Sequence, residues 1–243
     1  MTLLVLFGGR PLIAGAFADQ STAFRPLRFP VTNAAPGRLK TEAELGQGKF
    51  LIAGRNLGNS NFSQTVVLLI DYNRQGAMGL IINRPTDVKL STVFPEIEGL
   101  KQRTDTVFSG GPVSRNLLLL LMRSARPPEK SRRVFENIYL SSSRKELLRM
   151  IERADGGEKF RVYAGYAGWA PGQLDHEVAR GDWHILAADA ETVFDKTPSA
   201  IWPELIRRFA LQWVRGQEPR RAFPDGALGG GPGMPGARGY KRE

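Results

Sequence analysis

The stretch TVVLLIDYNRQGAMGLIIN, residues 65–83, decides the fold. Two apolar runs, Thr65–Tyr72 and Met78–Ile82, flank the polar turn Asn73-Arg74-Gln75-Gly76. Each run is too short for a typical helix and is rich in branched residues, so each reads as a buried strand. A gap this short joins antiparallel neighbours, because a parallel return needs a crossover of a dozen residues or more. Gly76 supplies the backbone freedom that such a turn uses.

Working outward, further strands are expected at Phe50–Ala53, Thr106–Ser109, Leu117–Met122, Ile138–Leu140, Phe160–Gly165 and Trp183–Ala187. Helices are fewer. SSSRKELLRMIERA carries Ser143 three residues before Glu146, a capping box, with Leu147, Leu148 and Ile151 on one face. GQLDHEVARG reads as a short helix closed by Gly181. IWPELIRRFALQWVRG places Ile201, Leu205, Ile206, Phe209 and Trp213 at helical spacing, with Pro203 in the first turn and Gly216 at the end. Trp202 and Trp213 share a face and dock that helix on the sheet. Strands and helices do not alternate strictly. The expected class is therefore α+β: a single domain with a mostly antiparallel sheet packed against helices.

Composition bounds the chemistry. The chain of 243 residues has no cysteine, which excludes disulfides, thiolate nucleophiles and cysteine metal sites. The formal charge of +10 is concentrated in the ends, with +4 in residues 1–40, +3 in residues 215–243 and only +3 between. Basic tails attract polyanions without specificity, and no nucleic-acid reading element accompanies them. Residues 1–41 read as a signal-like or disordered extension and linker, with Ala16-Phe17-Ala18 resembling a cleavage site. Residues 42–216 form the folded body, and 217–243 a Gly/Pro-rich basic tail. The run NLLLLLMRSA is too short to span a bilayer. Cleavage near Ala18 would imply export to the periplasm.

Four motifs draw attention: GAMGLIINRP (76–85), SGGPV (109–113), GYAGWAPGQLDHEVARGDW (165–183) and ADAETVFDKTPSAIW (188–202). In order and approximate spacing they resemble the YqgE/AlgH family. GKFLIAGRNLGNSNFSQTVVLLIDY (48–72) also resembles that family's first strands. The resemblance spans about residues 45–210. It implies a single α+β domain, a cytoplasmic location as the alternative to export, a name linked to transcriptional regulation, and neither agreed catalytic residues nor a cofactor. RNLLLLLMRSA (115–125) departs from it, since relatives often carry a Gly-containing, His-ending strand there.

The glycine corners at 76–79, 109–112 and 165–172 are expected to converge on one concave surface. The candidate ligand-binding residues are Gly79, Asn83, Arg84, Gly110, Gly111, Gly168, Trp169 and Gly172. Gly165 and Gly168 let the chain leave a strand sharply. Backbone N–H groups after Gly172 could hold an anion. Arg84 suits a carboxylate or phosphate, or else a structural ion pair over the strand end. No catalytic residue and no metal ligand is assigned. Asp175, His176 and Glu177 are consecutive and so cannot share one helix face; Glu177 reads as an ion pair with Arg180. The expectation is a non-enzymatic binding or regulatory domain with an unidentified small ligand or protein partner. One alternative is a hydrolase using Ser109, or Asp175 with His176; another is a polyanion binder acting through the tails.

Overall fold

A computed structural model describes residues 4–7, 10–13, 44–57, 61–152 and 158–216. Strands β1 (Leu4–Phe7) and β2 (Arg10–Ile13) pair as a small antiparallel hairpin within the signal-like segment. The cleavage site near Ala18 and the 217–243 tail lie outside the described residues. The body runs β3 (Lys49–Ala53), β4 (Val66–Asn73), β5 (Gly76–Ile81), β6 (Pro85–Lys89), α1 (Leu90–Val93), β7 (Thr106–Ser109), β8 (Val113–Arg123), β9 (Arg132–Phe135) and β10 (Ile138–Ser141). Then come α2 (Arg144–Glu152), β11 (Lys159–Trp169), α3 (Gln173–Ala179), β12 (Trp183–Ala187), α4 (Ala190–Phe194) and α5 (Pro198–Gly216). The class is α+β, with a curled, mainly antiparallel sheet and helices in the minority.

The sheet order is β12-β3-β4-β5-β11-β8-β10-β9, with β7 alongside β11 and β6 outside β7. The β4–β5 hairpin forms as expected, Asn73 opposite Gly76. The pairing of β7 with β11 is parallel; the other pairings are antiparallel.

Both faces of the sheet are covered, and this explains the unbroken apolar runs. In β4, Val66, Leu68 and Ile70 join one core with Ile201, Leu205 and Ile206 of α5, while Val67 and Leu69 join another beside Leu174 of α3. In β8, Leu119 and Leu121 face the α5 side. Leu118, Leu120 and Met122 face a third cluster with Leu147 and Met150 of α2. An antiparallel sheet with one wet face would alternate polar and apolar residues; this one has no wet face over most of its width.

Several expectations change in detail. Helix α5 starts at Pro198, so Pro203 lies inside it and Pro198 holds the N-terminal position that suits a missing N–H. Trp202 docks the helix, donating to the Ala53 carbonyl at 2.8 Å. The Trp213 side chain lies outside the described residues. In α2 the main chain of Ser143 accepts from Glu146 and Leu147, but the Glu146 carboxylate turns to Arg149 at 3.0 Å instead of closing a capping box. Strands β6 and β9 and helices α1 and α4 were not expected. Helix α4 is capped by Asp189, whose carboxylate accepts from the Thr192 N–H at 2.7 Å.

The largest revision concerns GYAGW. The chain does not leave the strand at Gly165. It continues extended to Trp169 and changes partners, from β8 and β7 over 159–164 to β5 over 167–169. Gly165, at φ +71°, makes the irregularity where the exchange occurs.

Candidate functional site

The glycine motifs do meet, backbone against backbone. A Cβ on Gly110 would stand 2.3 Å from the Gly165 carbonyl oxygen, and one on Gly111 would stand 2.1 Å from the Tyr166 carbonyl carbon. A Cβ on Gly76 would stand 2.3 Å from the Trp169 carbonyl oxygen. Gly79 lies between Leu69 and Ala167, with Val67 filling its Cβ position. Main-chain bonds tie the junction: Ile81 N–H to Gly110 O at 2.9 Å, Gly110 N–H to Ala164 O at 2.9 Å, and Ser109 N–H to Arg84 O at 2.8 Å. The room left by the missing side chains is occupied by neighbouring atoms. Gly168 is exposed on β11, and Gly172 caps α3 with open space around it.

Asn83 and Arg84 staple a neighbouring turn. The Asn83 side chain accepts from Val66 N–H and donates to the Gln64 carbonyl, both at 2.9 Å. Arg84 donates to the carbonyls of Asn61 at 2.5 Å and Ser63 at 3.0 Å, so it makes no ion pair there. Burial lowers its pKa. The turn places Phe62 on Trp169, with ring centroids 6.3 Å apart, and edge-on to Trp183 at 5.6 Å. Both indole N–H groups donate to one oxygen of Glu177 at 2.8 Å, and Gln173 donates to the other at 2.9 Å. The expected Glu177–Arg180 pair is therefore absent; Arg180 pairs with Asp182. Trp169 and Trp183 are 7% and 2% exposed, so this knot is a filled core and not an open box.

The hydrolase candidates stand apart in their bonding. Asp175 accepts from the Tyr72 hydroxyl at 2.5 Å. Burial first, then Asp175, pushes the Tyr72 phenol up to about 12. His176 is exposed, and among the described residues no hydrogen bond joins it to Ser109 or Asp175.

A cleft of about 650 Å³ opens elsewhere, where β7 ends beside β11 and the α4–α5 connection passes over. Phe108, Phe160 and Phe194 give it three aromatic rings, and Arg103, Lys159 and Arg161 give it cations. Arg161 lies over the Phe108 ring at 4.7 Å, and Arg103 over Phe160 at 5.1 Å. Two of the cations are matched. Arg103 pairs with Asp105 at 2.6 Å, and Lys159 pairs with Asp195. Lys159 first, then Arg123, holds the Asp195 carboxyl below its usual range. Glu158 accepts from the Ser124 hydroxyl at 2.5 Å.

Arg161 is different. Among the described residues its guanidinium meets the carbonyls of Ile82 and Lys196, at 3.5 and 3.4 Å, and stands against the Tyr163 hydroxyl. Both distances are at the outer limit for a hydrogen bond. Among the described residues it has no ion pair. Beside it, burial pushes the Tyr163 phenol up to about 12, opposed by the Arg161 charge. A half-buried guanidinium, weakly bonded and backed by a ring, is arranged to take an anion in its planar fork. Sequence reasoning named the strand but passed over Arg161. The available signal was one charge inside the otherwise apolar run of KFRVYAG.

This curled sheet with its glycine junction is the fold of a known bacterial protein group. The AlgH-like family model (DUF179) matches residues 50–214, and the chain belongs to that family. A UPF0301 protein of Streptomyces coelicolor is 34% identical over 176 residues, covering 69% of this chain and 89% of that relative. A UPF0301 protein of Azoarcus sp. is 37% identical over 171 residues, covering 68% and 90%. The solution structure of the AlgH protein from Pseudomonas aeruginosa is 30% identical, with TM-score 0.55, covering 71% of this chain and 94% of that one. The crystal structure of protein DIP2367 from Corynebacterium diphtheriae, at 22% identity and TM-score 0.58, shares the fold.

Proposed function

We propose that the chain is a non-enzymatic binding domain whose ligand is a small organic anion with an apolar part, held in the Arg161 cleft. The observation that carries this reading is the Arg161 guanidinium itself. It lines a cleft with three phenylalanines and has no carboxylate partner of its own among the described residues. A half-buried cation held by distant carbonyls and a ring, with no carboxylate, keeps hydrogen-bonding capacity to spare, so its placement favours a site that an anion completes. The phenylalanines favour an apolar body over a bare inorganic ion. The glycine and tryptophan motifs then serve the frame: they bend and lock the strands that carry Arg161 and Phe108. A regulatory role is the further part of this reading, with occupancy of the cleft as the signal.

The test is titration of the full chain with 3-phenylpropionate, followed by amide chemical shifts. Shifts should cluster at Phe108, Arg161 and Phe194. Arg161→Gln should weaken binding by about tenfold or more, the scale of one charge-assisted fork. Binding that maps elsewhere, or that Arg161→Gln leaves intact, removes the proposal.

A further inference from the structure

The cleft holds main-chain groups as well as a cation, and they narrow the ligand. In an antiparallel ladder each residue sends its N–H and C=O to the same edge, and successive residues alternate between edges. The Ala164 carbonyl accepts from Gly110 N–H at 2.9 Å, on the β7 side of β11. By that alternation Val162 and Phe160 also present their main chain to the β7 side. The parallel ladder with β7, however, reaches back only to the Val162–Val107 pair. Phe160 is paired with Met122 of β8 by register, but its N–H and C=O point the other way, past the end of β7. Phe160 lines the cleft, and no β7 residue stands in register with it.

The cleft therefore offers, on adjacent residues, a donor–acceptor pair of strand geometry and a guanidinium. Its remaining lining mixes the rings with Leu90, Val162 and Pro198, and its two carboxylates are engaged, Asp105 by Arg103 and Glu158 by Ser124. A secondary amide complements the first feature, since it carries one N–H and one C=O. A carboxylate complements the second. Resting on the binding reading above, we propose that the cleft recognises a carboxylate flanked by a secondary amide, with an apolar side chain on the carbon between them. This is the chemistry shared by an N-acyl amino acid and by the C-terminus of a peptide. The amide would extend the ladder where β7 stops, the carboxylate would meet Arg161, and the side chain would lie against Phe108 and Phe194, on the Arg161 face of the sheet.

The experiment titrates the full chain with four probes: N-acetyl-L-phenylalanine, its C-terminal amide, 3-phenylpropionate, and an unblocked tripeptide ending in phenylalanine. Binding is read by calorimetry and by amide shifts on the unsubstituted protein, so it does not depend on any variant folding. N-acetyl-L-phenylalanine should bind about tenfold or more tightly than 3-phenylpropionate, the worth of two neutral hydrogen bonds. Its amide form should bind about tenfold or more weakly than the free acid, the worth of the charged fork. The Phe160 N–H resonance should move with the first probe and the tripeptide, and stay still with 3-phenylpropionate. Tighter binding of the tripeptide than of N-acetyl-L-phenylalanine assigns the ligand to peptide C-termini; the reverse assigns it to acyl amino acids. Equal, Arg161-dependent binding of 3-phenylpropionate and N-acetyl-L-phenylalanine overturns the amide inference while leaving the anion reading intact. Equal binding of the acid and its amide, or no binding by any probe, overturns both.

Discussion

Replacing Glu177 with leucine tests the reading of the tryptophan knot. In the native chain one Glu177 oxygen accepts two indole N–H groups at 2.8 Å, and the other accepts Gln173 at 2.9 Å. Leucine removes all acceptors and leaves Trp169 and Trp183, both nearly inaccessible, with buried donors. A stranded buried donor costs about 1–3 kcal/mol, so two of them cost about 2–6 kcal/mol. Glutamine keeps a carbonyl oxygen for the two indoles but loses the charge and the half-exposed acceptor for Gln173, so it should cost about 1–2 kcal/mol. The assay is urea unfolding of both variants at matched m-values, with tryptophan fluorescence as one probe and far-UV circular dichroism as the other. Against a domain stability of about 5–15 kcal/mol, the leucine variant should lose a large fraction and the glutamine variant little. If the two variants unfold at the same midpoint, or if leucine costs under about 0.5 kcal/mol, the indole–carboxylate bonds are not what holds this face, because that is the range of an ordinary surface change.

Gly165→Ala should lower stability by about 3 kcal/mol or give no folded protein, because the new Cβ would stand 2.7 Å from two carbonyl oxygens, those of Gly111 and Val113, at positive φ. Gly172→Ala, also at positive φ but with nothing within 4 Å, should cost only about 1 kcal/mol, and equal melting temperatures for the pair would refute the junction's role. Arg84→Gln should loosen the 61–64 turn, cost about 1–2 kcal/mol, and speed amide exchange at Thr65 and Val66, with unchanged exchange counting against the staple. His184, stacked on Phe209 at 4.1 Å, has its pKa lowered by burial from 6.5, so the unfolded chain takes up the proton first. Its contribution should be intact above pH 6.5 and be lost as pH falls to the depressed folded pKa, and His184→Phe should flatten that limb of a urea-stability profile.

How much of this was legible follows from what each residue does. The run Val66–Ile70 announced a buried strand because its side chains fill cores on both faces, leaving no polar position to break the pattern. Strand β6 was illegible for the opposite reason. Its residues Thr86, Asp87, Val88 and Lys89 sit at the sheet's margin, alternate between exposed and half-buried, and follow a proline that an edge strand tolerates. Pro203 misled because a proline inside a helix reads as a start; Pro198, five residues earlier, was the start. Gly165 misled because a positive φ can end a strand or make an irregularity within one, and only the partners on either side, β8 and β5, distinguish the two.

The candidate site was the least legible part, and the reason is physical. Sequence attention goes to unusual residue types, and glycines and tryptophans are conspicuous wherever backbones approach closely or cores are large. Gly76, Gly110, Gly111 and Gly165 mark where backbones press together, and the atoms of their neighbours fill the space. Binding needs space, and space is made by what is missing: β7 stops at Thr106 while β11 runs on to Lys159 beside it. The resulting gap leaves the Phe160 main chain beyond the β7 register, with Arg161 next to it and Arg103 and Lys159 around the same cleft. Neither event has a sequence signature, since a strand that ends two residues early looks like any other. An arginine in an apolar strand becomes informative only once its partners can be counted. In this chain, changes at Gly110, Gly111 and Gly165 should cost folding because neighbouring backbone fills their Cβ positions, whereas Arg161→Gln should leave the sheet intact because its contacts are two long carbonyl bonds and one ring.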